Sequence, residues 1–245
     1  MEVHHHSHTA RKKWTHYFWE FLMLFLAVFC GFLAENQREH MIEHNREKQY
    51  INSLINDLQL DVAWFDSVSN SARLRIQNID SAILFFSRSQ RNNMPVNIYK
   101  HLQKSTVQIM FFANNETTTQ LKNSGGMRLI RNRATVDSIE AYDRLMRRLE
   151  MRRDITNQVT HDFILALNKT VVGSDLLGAL YDSVFFNKTV IPGRSINLNI
   201  HHLNELINAS IALRLRAVSD INVNNSTKET ALSLIEFLKH KYHQE

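Results

Sequence analysis

Eight arginines fall within 26 residues: Arg128, Arg131, Arg133, Arg144, Arg147, Arg148, Arg152 and Arg153. Arg144, Arg148 and Arg152 are spaced by four, which sets them on one face of a helix. Guanidiniums gathered on one face can hold an anion or a partner: phosphate, a lipid headgroup or an acidic wall polymer. Asp137, Glu140, Asp143 and Glu150 lie among them, so a solvated, ion-paired face is the plainer expectation. Interleaved aromatics are absent, so nucleic acid is not expected as a partner. His40 and His44 are also four apart, each preceded by a glutamate. That spacing can chelate a metal, and the pair is a weak candidate for one. The order is Glu-His-x-x-Glu-His, not the His-Glu-x-x-His of zinc peptidases. His4, His5, His6 and His8 near the start could bind a transition metal, or be a disordered tail or tag. The sequence holds no glycine-rich phosphate loop, nucleophile elbow or Cys/His cluster, so no catalytic residue and no cofactor are expected.

These residues must be positioned by helices, and the first is set apart by composition. Tyr17–Ala34, YFWEFLMLFLAVFCGFLA, is eighteen residues long with Glu20 its one charge. At about 1.5 Å per residue it spans close to the thickness of a bilayer core. Its apolar residues lie all round the helix, which favours lipid over the stripe of a soluble helix. Arg11, Lys12 and Lys13 precede it, and Trp14, Tyr17 and Trp19 stand at its edge as membrane anchors. Basic flanks stay cytoplasmic and such rings prefer the headgroup layer. The expectation is a cytoplasmic His-rich, basic tail over 1–16, a transmembrane helix over 17–34 and an extracytoplasmic helical domain over 35–245. A cleaved signal peptide fits less well, because Phe32 occupies a place where cleavage needs a small residue. A lipid-modified Cys30 fits less well too, since bulky Phe29 precedes it. Glu20 lies in the first turn, within reach of the headgroups and at the positive end of the helix dipole. Ala27 and Gly31, four apart, form a small-residue face that permits close helix packing.

Six glycines and two prolines in 245 residues are too few for the turns of a β-rich fold. The chain is expected to be all-α. One cysteine excludes an intrachain disulfide. A net charge of +5 is too small to argue for a strong electrostatic partner. Beyond the span, Ile51, Leu58, Phe65, Ala72, Ile79 and Phe86 fall seven apart. Ile55, Val62, Ile76 and Ile83 make a second row, with Ser69 the exception, and Leu54, Val68 and Ala82 a third, broken by Asp61 and Arg75. The spacing predicts one long helix from the span to about Ser89, packed in a bundle or paired with a second copy. Asp61 and Arg75 favour the bundle, where each can sit at an edge. A loop at 91–95 follows, then a helix from Val96 to about Phe112. Asn114-Asn115 breaks it; Thr117–Lys122 is a short helix that Gly125-Gly126 closes where φ > 0 is needed. Helices are expected over Thr135–Val172, over Leu176–Phe186 and from Asn197 or Leu203 to Tyr242, with Asn224-Asn225 a possible interruption. Together they predict a long-helix, up-and-down bundle whose first helix is a stalk.

HYFWEFLMLFLAVFCGFLAENQREHMIEHNREKQYINSLINDLQLD, and TTQLKNSGGMRLIRN followed by IEAYDRL, resemble the two recognisable blocks of a family of single-span Bacteroidota membrane proteins, a domain of unknown function. The resemblance covers about a third of the chain. It implies an inner-membrane protein with a periplasmic helical domain, and it brings no activity. The expected function is a membrane-anchored periplasmic interaction or scaffold module, its partners the bilayer and a protein or second copy met through the stalk. The alternatives are an anion sensor signalling through its span to a second protein, since the sixteen residues before the span cannot hold an output domain, and an enzyme of unknown class.

Overall fold

The computed structural model describes residues 14–88, 93–171 and 195–242. Within them the chain is all-α: α1 (Trp14–Arg88), α2 (Val96–Lys104), α3 (Glu116–Asn123), α4 (Arg133–Thr170) and α5 (Ile200–Tyr242), with one 3₁₀ turn at Gly126–Leu129. Two three-residue strands, β1 (Asn93–Pro95) and β2 (Ser195–Asn197), pair antiparallel with Met94 opposite Ile196. The helices expected from the spacing appear within a few residues of their expected ends, α2 excepted. Gly173, Leu176–Phe186, the turn at 191–193 and the tail before Trp14 lie outside the described residues.

The chain divides into two units, Met1–Gln49 and Tyr50–Glu245. The described part of the first is helix throughout. Its apolar residues from Tyr17 to Leu33 are almost all exposed. Among the described residues α1 is the one helix long and apolar enough to cross a membrane.

The second unit has two apolar clusters. In one, Ile51, Leu58 and Phe65 of α1 meet Leu121 of α3, Ile139 and Met146 of α4, and Leu234 and Leu238 of α5. In the other, Ile79 and Phe86 of α1 meet Met94, Tyr99 and Leu102, Phe163 and Leu167 of α4, and Leu206 and Leu213 of α5. Ion pairs fix the helix directions. Asp80 with Arg214 and Asp66 with Lys228 set α5 antiparallel to α1. Arg152 with Asp220 and Lys169 with Glu205 set it antiparallel to α4.

The return limb after α1 departs from expectation. α2 stops at Lys104, and residues 107–115 are not helical. The Ser105 and Thr106 hydroxyls donate to the His101 and Gln103 carbonyls, competing with the next helical turn. From there the backbone is held by polar side chains of α1. Arg75 donates to the Val107 carbonyl, Trp64 Nε1 donates to the Met110 carbonyl, and Asp61 and Asp57 accept from the Asn114 and Thr117 amides. An unpaired buried backbone group is costly, and these four bonds replace the helical ones. Asp61 and Arg75 therefore do not sit at an edge. They are 1% and 4% exposed, and each faces the limb it holds.

Candidate functional site

Between the two apolar clusters the core turns polar. On α1 the inward positions there are Ser69 and Arg75; on α4, Arg152, Thr156 and Thr160; on α5, Arg216, Asp220 and Asn224. Asp220 is the hub. Its Oδ1 accepts from Arg152 at 3.2 Å and pairs with Arg216 at 3.1 Å, while its Oδ2 accepts from the Thr156 hydroxyl at 3.0 Å. Arg216 Nε donates to Thr156 at 2.9 Å and its terminal nitrogen to the Arg152 carbonyl at 2.7 Å, locking α5 to α4. Arg75 reaches in from α1, donating to the Gln108 side chain at 3.0 Å; Gln108 in turn donates to Asn157 at 2.7 Å.

The layer holds three guanidiniums against one carboxylate. Arg75 makes no ion pair with a described acidic residue. Burial pulls it down to about 10, against the opposing pull of Asp220. At neutral pH it is therefore still charged, and its burial penalty stands. Nε of Arg75 and Nε of Arg152 are both buried without an acceptor.

A cleft of about 70 Å³ opens onto this layer. Val68, Ile109, Phe111 and Leu149 form its apolar wall, and Gln108, Arg152, Arg153, Thr156, Asp220 and Asn224 its polar one. Gln108, Ile109, Met110 and Phe111 of the extended limb supply one side. Arg153 lies over the Phe112 ring at 5.4 Å, a cation–π contact in the same region.

A second polar knot sits deeper, at Asp61. Asp61 Oδ1 accepts from the Asn114 backbone at 2.8 Å and from the Asn114 side chain at 2.9 Å, and Oδ2 accepts from the Tyr142 hydroxyl at 2.9 Å. Burial raises the Asp61 pKa despite these donors, and burial beside that carboxylate holds Tyr142 above the ordinary phenol range. Every oxygen is satisfied, so this knot reads as structural.

The sequence candidates separate. Arg144 and Arg148 are exposed on α4, Arg144 against Glu140 at 3.7 Å, while Arg152 turns inward to Ser219 and Asp220. His40 and His44 lie on α1, 3.8 Å from Glu43 and 3.6 Å from Glu47. No group of three or more His, Cys, Asp or Glu side chains converges among the described residues. Trp14, Tyr17 and Trp19 are exposed at the start of α1, and Glu20 lies 2.9 Å from His16. Ala27 is exposed, and a Cβ added at Gly31 meets nothing within 4 Å. Sequence reasoning did not reach Arg216, Asp220 or Asn224 as a group. The signal for part of the layer was present in Ser69 and Arg75, which interrupt the apolar rows of α1. The chain matches no protein-family model, no curated protein and no solved structure.

Proposed function

We propose that the chain is a membrane-anchored interaction or scaffold protein. In this reading its first helix crosses a bacterial inner membrane from a cytoplasmic N-terminus, and an up-and-down helical bundle follows in the periplasm. The observation that carries the reading is the exposed segment of α1. Twelve large apolar side chains from Tyr17 to Leu33 stand open. At roughly 2 kcal/mol each, keeping them in water costs on the order of 20 kcal/mol, more than the whole stability of a typical domain. Lipid removes that cost. Arg11, Lys12 and Lys13 before the span support the orientation, and the resemblance to single-span Bacteroidota proteins supports the compartment. The second unit supplies a rigid body with its own core for a protein partner or a second copy. Its polar layer is built to hold helices together, with both Asp220 oxygens engaged, and the reading assigns it no catalytic step.

Reporter fusions at both termini test the orientation. A fluorescent protein that matures in the cytoplasm is expected to glow at the N-terminus, and a phosphatase that needs the periplasm to be active at the C-terminus. The reverse pattern would overturn it. Pull-down of the full chain from solubilised membranes is expected to recover a stoichiometric partner or a homo-oligomer; a lone monomer would count against the scaffold. One observation favours the second reading, a ligand sensor acting through a partner: the cation-rich layer opens onto a cleft rather than closing on itself.

A further inference from the structure

We infer that the cleft between α4, α5 and the extended limb binds one small organic monocarboxylate, its charged end on Arg152 and Asn224 and its alkyl end against Val68, Ile109 and Leu149. The inference goes beyond the tether reading and does not depend on which side of a membrane the domain lies.

Charge is the first support. Arg75, Arg152 and Arg216 share the Asp220 carboxylate as their common counter-charge. A monoanion in the cleft would offset part of that positive excess. Unused donors are the second. Asn224 lines the cleft and is 5% exposed, and its side-chain amide bonds to none of the described residues. An amide that lines the cleft offers a ligand oxygen two donor hydrogens. Among the described residues the Arg152 guanidinium bonds through one terminal nitrogen, to Ser219 at 2.9 Å and Asp220 at 3.2 Å, which leaves its other terminal nitrogen for a ligand. Arg153 adds a further positive charge to the wall.

Size and wall chemistry select the ligand. A cleft of about 70 Å³ has room for a few heavy atoms or a few waters. Two donor groups match the two oxygens of a carboxylate. A phosphate or sulfate seated on the same two donors would turn remaining oxygens towards Val68, Ile109 and Leu149, which offer them no hydrogen bond. Asp220 also lines the cleft. Its carboxylate repels a dianion more strongly than a monoanion.

Calorimetric titration of the full-length chain in detergent, at matched ionic strength, tests this with sodium acetate, propionate and butyrate against chloride, phosphate and sulfate. Saturable one-to-one binding of at least one carboxylate is expected, with a matching rise in melting temperature. Binding should weaken about tenfold or more in Arg152→Lys, which loses the guanidinium donors, and by several-fold in Asn224→Ala. Arg148→Gln, on the exposed face of the same helix, should bind as the parent does. If Arg152→Lys does not fold, Asn224→Ala decides alone. No saturable carboxylate binding, unchanged binding in Asn224→Ala, equal loss in Arg148→Gln, or preference for phosphate or sulfate would each overturn the inference.

Discussion

Asp61 is a carboxylate 1% exposed, and its neighbours are donors rather than cations: the Asn114 amides and the Tyr142 hydroxyl. Burial outweighs those donors and raises its pKa above the ordinary aspartate value of 3.8. The folded protein therefore holds that proton more tightly than the unfolded chain does. The stability associated with it is full below about 3.8 and is lost as pH rises through the folded value. Denaturant melts of the parent and Asp61→Asn at pH 4 and pH 7 check the sign: the parent should lose ground to the variant on going to pH 7, and the opposite slope would refute it. Tyr142→Phe leaves Asp61 Oδ2 without its donor and should cost about 1–2 kcal/mol at neutral pH. Asp220→Asn removes the counter-charge of the polar layer and leaves three guanidiniums facing one another. Its expected cost is roughly 3 kcal/mol, read as a drop in the urea midpoint without a change in slope.

At the scale of elements, the helices were legible because their apolar rows are long and regular. Ile51, Leu58, Phe65, Ile79 and Phe86 are buried as their spacing predicts. The return limb was not legible. Val96, Tyr99, Leu102, Ile109 and Met110 fit a helical period, but only the first three lie in a helix. What decides the limb is donors and acceptors thirty to sixty residues away on α1, which periodicity cannot register. The same blindness hid the cleft, because its walls come from four segments distant in sequence. Asn224 shows the converse: an asparagine pair that could break a helix instead lies inside an unbroken α5. Gly125 behaved as read, taking φ of 68° just before the 3₁₀ turn that links α3 to α4. At the start of α4, Asn132 accepts from the Thr135 amide at 3.0 Å, the cap that orders a 38-residue helix. Asn132→Ala should lower stability by about 1 kcal/mol, and Asn132→Asp should restore most of it; equal loss in both would remove the capping explanation.

For the whole molecule, the first unit's apolar surface is the feature that has to be accommodated. Its large apolar side chains from Tyr17 to Leu33 stand exposed. A charge placed at its centre should weaken its hold on lipid. Leu24→Arg carries a cost of about 2.5–3.5 kcal/mol at mid-bilayer and should raise the share of chain found outside the membrane fraction. The decisive measurement is flotation of membranes from cells expressing the full chain, after an alkaline carbonate wash that strips peripheral proteins. The chain is expected to float with the lipid. Its recovery in the washed soluble fraction, folded and without detergent, would contradict the account.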